Sequence, residues 1–316
     1  MLIARHLRPD SSSASVPLSG CPLLPGAGEA ILAALMVRPH ARHSPGPALH
    51  AAVGSLLREA AEAVEGFGED PPGNAHFVRT RVKRLQSLSR LVPGGRKWRA
   101  SFLPPLRELK DLFAPTRDAT IIRWLAEKYA PGEVEHLAAP PAPDLARARR
   151  LAGEADGVAC GYSGWDLVAW GDVVGRAART YRAARRAWKA AALPAAADAD
   201  FHRWRRRVKH LLYQCEYLAE CAPLARMTRR VDKLGDVLGR IQDICMAEHW
   251  LAAQRGLAVP AALPRGKEAL RHRALEMGGE LFAPKTREFR KTLEEAGATR
   301  ATESPKIRRE GSRARA

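Results

Sequence analysis

The sequence predicts an all-α fold made from a duplicated helical unit, and three observations carry that reading. First, a basic segment occurs twice, as His76-Phe77-Val78-Arg79-Thr80-Arg81-Val82-Lys83-Arg84-Leu85 and as His202-Arg203-Trp204-Arg205-Arg206-Arg207-Val208-Lys209-His210-Leu211, both reading H-x-x-R-x-R-V-K-x-L. Second, each copy is followed by a shared pattern, Leu109-x-x-Leu112-Phe113-Ala114-x-x-x-Asp118 and Leu234-x-x-Val237-Leu238-Gly239-x-x-x-Asp243, at nearly the same distance. Two motifs in one order with one gap indicate an internal repeat. Third, no stretch shows the alternating β-branched pattern of a strand.

The chain in order supplies the helices. Residues 1–46 are broken by Pro, Gly and Ser with no sustained period, which predicts a disordered tail. An apolar patch from Ile31 to Val37 is the exception, spaced for a short helix. Ala48 to Phe67 has helical spacing and ends at Gly66, Gly68 and Pro71. A basic helix is predicted from Ala75 to Val92, stopped by Pro93-Gly94-Gly95, then one from Arg96 to Phe113 bent or divided at Pro104-Pro105. Ala114 to Tyr129 closes the first unit, residues 47–138.

Residues 139–164, bracketed by prolines and glycines, read as a linker holding a short helix from Asp144 to Leu151. The second unit, 165–296, opens with a long helix from Asp166 to Ala192 that carries an arginine stripe. The second basic helix follows from Asp198 to Cys221, with Asp198 or Asp200 as its N-cap. Helices are then predicted over Met227–Gly239, Ile241–Arg255, Lys267–Gly278 and Leu281–Glu295. Residues 297–316 read as a basic disordered tail.

On a helix, at about 100° per residue, the repeated segment is two-faced. Val78, Val82, Leu85 and Leu88 gather on one side; His76, Arg79, Lys83, Gln86 and Arg90 gather on the other. The second copy sets Trp204, Val208, Leu211, Cys215 and Leu218 against His202, Arg205 and Lys209. A solvated basic back is the ordinary outcome of such a pattern. Its recurrence with His, Arg and Lys in a fixed order points instead to anion-binding donors held at set positions.

Composition limits the function classes. There are 52 Lys and Arg against 34 acidic residues, a formal charge of +18. That surface attracts polyanions: nucleic acid, polyphosphate or an anionic membrane. Five cysteines without C-x-x-C spacing predict neither a disulfide framework nor a zinc site, and suit a reducing cytoplasm. No apolar run reaches the length of a membrane span, and the N-terminus lacks the apolar segment of a signal peptide.

At these motifs the chain resembles the CHAD family, the conserved-histidine α-helical domain. The resemblance rests on His76, Arg79, Lys83 and Arg84, on His202, Arg205, Lys209 and Tyr213, on Arg117-Asp118 and Leu238-Gly239-Arg240-Ile241-Gln242-Asp243, and on Tyr181-Arg182-x-x-Arg185-Arg186. It spans roughly Pro47 to Leu293 and implies two antiparallel four-helix bundles related by a pseudo-twofold axis. It further implies a central positive surface that binds inorganic polyphosphate, through His76, Arg79, Lys83, Arg84 and Arg117 of one half and Arg182, Arg186, His202, Arg205 and Lys209 of the other. Gln86 and Leu212 stand where the family usually has a further basic residue, which implies a shorter or weaker anion surface.

Neither His76 nor His202 stands in a zinc-like spacing with other ligands, so a metal role is not expected, nor any cofactor. Beside Arg and Lys, each is read as a hydrogen-bond donor able to gain charge when an anion arrives. Asp118 and Asp243 are read as structural acids at helix starts rather than as a catalytic pair. With no phosphate loop and no nucleophile elbow, a non-enzymatic role is expected. Nucleic acid is the rival ligand, but aromatics are 6% of the chain and Trp204 falls on the apolar side, so a base-stacking surface is not expected. The sequence therefore predicts a cytoplasmic polyphosphate binder, with localisation to polyphosphate granules implied by the resemblance.

Overall fold

A computed structural model describes residues 45–219, 222–254 and 257–302. Every regular element among them is helical. The first half comprises α1 (Pro45–Glu65), α2 (Pro71–Leu88), α3 (Arg96–Leu112), α4 (Ala114–Tyr129) and α5 (Leu145–Cys160). The second comprises α6 (Trp170–Ala191), α7 (Asp198–Leu218), α8 (Ala222–Ala253), α9 (Ala262–Phe282) and α10 (Thr286–Thr302). Helix α1 packs on α2 and α5, and α3 on α5 and α2, while α4 lies against α2. In the second half α7 packs between α6 and α8, and α9 and α10 pack on both α6 and α8.

The two basic helices meet. Helix α2 packs on α7, which places the repeated segments together at the middle of the molecule. Their apolar sides are buried as predicted: Val78, Val82, Leu85 and Leu88 on α2, Trp204, Val208, Leu211, Cys215 and Leu218 on α7. At the crossing, Ser87 Oγ donates to the His210 carbonyl at 2.7 Å and Gln214 Nε2 donates to the Ser87 carbonyl at 2.9 Å. Both side chains are fully buried, so these bonds meet a need that water cannot.

Local chemistry explains the boundaries. Helix α2 begins earlier than predicted because Asp70 accepts from the Gly73 N–H at 3.0 Å, and Pro71 and Pro72 occupy first-turn positions that need no donor. Helix α3 runs unbroken through Pro104 and Pro105. Asp200 Oδ2 accepts from the Ala197 N–H at 3.0 Å at the start of α7, whereas Asp198 turns to Lys267 and Arg271.

Three readings need correction. The predicted linker contains a full helix, α5, that packs on α1 and α3 and belongs to the first half. Ala148, Leu151, Ala152, Ala155 and Ala159 form its buried side, and that burial outweighs the roughly 1 kcal/mol that each of Gly153 and Gly157 costs a helix. The predicted break at Gly239 is absent, because α8 is one helix of 32 residues. Helix α10 continues to Thr302, past the predicted end at Glu295. The predicted N-terminal tail to residue 44, the Ile31–Val37 patch and residues 303–316 lie outside the described residues.

Candidate anion-binding site

Cations from α2, α3, α4 and α7 converge where α2 faces α4 and α7. Arg79 Nη1 donates to the Lys110 carbonyl at the end of α3, at 2.7 Å, which fixes its guanidinium beside the basic face of α2. Lys83 has no hydrogen bond or ion pair among the described residues. Burial and then the charges of Arg79, Arg205, Arg117 and Lys110 push its ammonium down to about 7. His76 is pushed down to about 4, first by burial and then by Lys83, Arg117, Arg79 and Arg81, so at neutral pH its ring is uncharged. Its Nε2 lies 3.4 Å from the Thr80 hydroxyl. Arg117, on α4, pairs with its neighbour Asp118 at 3.0 Å.

From the other side, α7 contributes His202, Arg205 and Lys209. His202 Nδ1 lies 2.5 Å from Gln242 Oε1, so the proton on that nitrogen is committed to α8. Arg205 Nε is buried with no hydrogen-bond partner among the described residues. Burial lowers the guanidinium's pKa most, and Asp243 opposes that shift. Asp243 is itself raised, since its burial outweighs the attraction of Arg205, Arg117, Arg240 and Lys128. Lys209 Nζ lies 3.8 Å from Asp232 and 3.9 Å from Asp236. Both long side chains lie against glycines of α8, and only at Gly235 is the approach closer than an ordinary contact. A Cβ at Gly235 would stand 3.2 Å from Lys209 Cε and Nζ, and one at Gly239 would stand 3.9 Å from Arg205 Nε.

Residues 164–252, which hold this second group, match the CHAD domain family model. That match falls within the second half of the chain. Comparison with curated proteins finds no match. The matched CHAD stretch spans α6, α7 and nearly all of α8, and thus includes Arg182, Arg186, His202, Arg205 and Lys209.

Not every residue singled out in the sequence joins this cluster. Arg84 turns inward and is 9% exposed. Its guanidinium pairs with Glu216 on α7 at 2.7 Å and lies over the Tyr213 ring, so it ties α2 to the CHAD stretch rather than facing an anion. Helical position alone could not reveal this, because the partner is supplied by the other half. Arg182 and Arg186 are exposed on α6, with no hydrogen bond or ion pair among the described residues. Arg185 of the same motif donates to the Phe282 carbonyl at 2.8 Å.

Sequence reasoning missed Lys110 as a member of the cluster, and also the two glycines that adjoin Lys209 and Arg205. The spacing of Gly235 and Gly239, four apart on one face of an otherwise helical run, was the available signal. Among the described residues Asp198, Cys245 and Glu248 bring three potential metal ligands together, and neither histidine of the motif is among them. Lys267 bridges the two carboxylates, and Arg271 Nη2 reaches Asp198 at 2.5 Å, so side-chain cations already balance that charge.

Proposed function

We propose that the chain binds inorganic polyphosphate without turning it over, through the cationic face on which α2, α4 and α7 converge. One observation carries this reading. Lys83 is half-buried among Arg79, Arg117, Arg205 and Lys110 and has no carboxylate partner among the described residues. Gathering like charges in a space of lowered dielectric is unfavourable by itself, and an arriving polyanion reverses the sign of that energy. The CHAD match at residues 164–252 supports the same ligand, since the family is associated with polyphosphate binding. The two halves are read as copies of one unit related by a pseudo-twofold axis, with α2 and α7 as equivalent helices. A cytoplasmic protein of this kind accumulates on polyphosphate granules.

Arginine supplies paired donors for phosphate oxygens and lysine a mobile charge. Asp118 is committed to Arg117, which favours the structural role for that carboxylate. Competition binding of long-chain polyphosphate against single-stranded RNA and duplex DNA, at matched phosphate and salt, tests the reading. Polyphosphate is expected to win near physiological salt, and affinity is expected to fall steeply as salt rises. Preference for either nucleic acid would transfer the function to the rival ligand.

A further inference from the structure

A second basic pocket lies apart from the Lys83–Arg205 cluster. Arg90, Arg99, Arg176, Arg179, Arg207 and His210 line a cavity of about 240 Å³ between the end of α2, α3, α6 and α7. Five guanidiniums and an imidazole face it, with no carboxylate in the lining. On α7, Arg207 and His210 stand about 200° and 140° around the helix from Arg205, so the pocket opens on a different face of that helix. Arg90 is the last member of the α2 stripe, two turns beyond Lys83.

The pocket is built rather than incidental. Arg99 is fixed by a bond from its Nη1 to the Val92 carbonyl at 3.0 Å. Arg90, Arg176, Arg179 and Arg207 make no hydrogen bond or ion pair among the described residues, and His210 Nδ1 is buried without a partner. Burial and the neighbouring Arg207, Arg99 and Arg107 hold the Arg90 pKa below its ordinary value. Burial, Arg99 and Arg179 do the same for Arg176, against a partial offset from Asp172 and Tyr162. Cationic side chains facing one another across a small space, with no acid in the lining among the described residues, describe a seat for a compact and highly charged anion. Guanidinium forks match tetrahedral phosphate oxygens better than a lone carboxylate, and several around one cavity match linked phosphates. The volume suits a short run of a few phosphates.

We propose that this pocket is a second anion site, specific for a short run of two or three linked phosphates and independent of the central cluster. Two sources share that chemistry: free pyrophosphate or tripolyphosphate, and the terminus of a long polyphosphate chain.

Titration calorimetry on the full chain tests it, with pyrophosphate and tripolyphosphate as probes. Three proteins are compared: the unaltered chain, Arg179→Ala with Arg207→Ala, and Lys83→Glu with Lys209→Glu. The pocket variant is expected to lose tripolyphosphate affinity about tenfold or more, as removal of charge-assisted bonds implies, while long-chain binding changes little. The central variant is expected to do the reverse. Displacement of tripolyphosphate from the central variant by excess long-chain polymer identifies the chain terminus as source, and failure to displace it identifies a free short phosphate. Either result sustains the site. Unchanged tripolyphosphate affinity in a folded pocket variant overturns it, as does complete loss in the central variant. If the double substitution does not fold, Arg179→Gln alone, at an exposed position, gives the same readout.

Discussion

Helices α2 and α7 carry one motif and hold it in different electrical states. In α7, His202 is bonded to Gln242, Lys209 lies near Asp232 and Asp236, and Arg205 is near Asp243. In α2, the charges that bear most on Lys83 are cations, and His76 is driven uncharged by burial and then by Lys83, Arg117, Arg79 and Arg81. The partner helices account for the difference. Aligning Leu109 with Leu234 sets Lys110 against Gly235, Arg117 against Gln242 and Arg107 against Asp232. At each of these positions the first half is the more positive. A repeated motif therefore fixes where donors point, while the helices packed around it decide how much charge is left for a ligand.

The largest effect should come from removing that charge. Lys83→Glu with Lys209→Glu should weaken polyphosphate binding about 10³-fold, since each replacement removes a charge-assisted contact and adds a repulsive one. A glutamate at 83 would sit among Arg79, Arg117 and Arg205, so circular dichroism should report an intact fold. Arg308→Glu with Arg313→Glu changes net charge equally outside the described residues and should cost far less. Of the two single variants, Lys83→Glu should be the more damaging, because Lys209 is already shared with acids. Equal losses within both comparisons would mean diffuse attraction by a chain of charge +18.

The next effect falls on stability. Arg84→Ala removes the guanidinium that holds Glu216 at 2.7 Å across the α2–α7 contact. Breaking a pair this enclosed should destabilise the fold by about 3 kcal/mol, measurable by urea unfolding. Arg84→Lys should recover part of it, since an ammonium cannot reproduce the planar stacking on Tyr213. Polyphosphate affinity of the folded fraction should hardly change. A large affinity loss would return Arg84 to the anion site implied by the family resemblance.

Much of this arrangement was readable from the chain, for definite reasons. The 3.6-residue period of Val78, Val82 and Leu85, and of Trp204, Val208 and Leu211, marked both central helices and their buried sides. The repeated order of His, Arg and Lys marked the cluster. What stayed hidden depended on contacts distant in sequence. Nothing local distinguishes Arg84, which is buried by Glu216 from the other half, from Lys83, which is left unpaired. The glycines of α5 and α8 read as breaks because helix propensity favours that view, and tertiary packing overrode it. The arginine pocket gathers residues from α2, α3, α6 and α7, which no single stretch reveals.

Proton linkage gives a smaller effect that again separates the halves. The Lys83 ammonium is held at about 7, below its ordinary 10.5, by burial and by Arg79, Arg205, Arg117 and Lys110. The folded chain then binds fewer protons than the unfolded chain between those values, so stability should rise with pH across that window. A bound polyanion favours the charged form, so binding takes up a proton above pH 7. Affinity should fall by about fivefold from pH 7 to pH 8 and show little of that fall in Lys83→Arg, which stays charged. A profile that Lys83→Arg leaves unaltered would assign the proton to another group.

The smallest effect tests whether the second half is muted by its own acids. Lys209 Nζ lies 3.8 and 3.9 Å from Asp232 and Asp236, both partly exposed, and pairs of this kind are worth about 0.2–1 kcal/mol. Asp232→Asn with Asp236→Asn should therefore raise polyphosphate affinity by about threefold at low salt, with the gain fading as salt screens it. The reciprocal change, Arg107→Asp, gives the first half the acid that the second half has and should lower affinity by a similar or smaller factor. Neither substitution touches a buried residue, so the unfolding midpoint should move little. Opposite signs from the two variants would tie the difference between the halves to these flanking charges. Shifts in the same direction would mean that burial at Lys83, rather than the partner helices, sets the difference between α2 and α7.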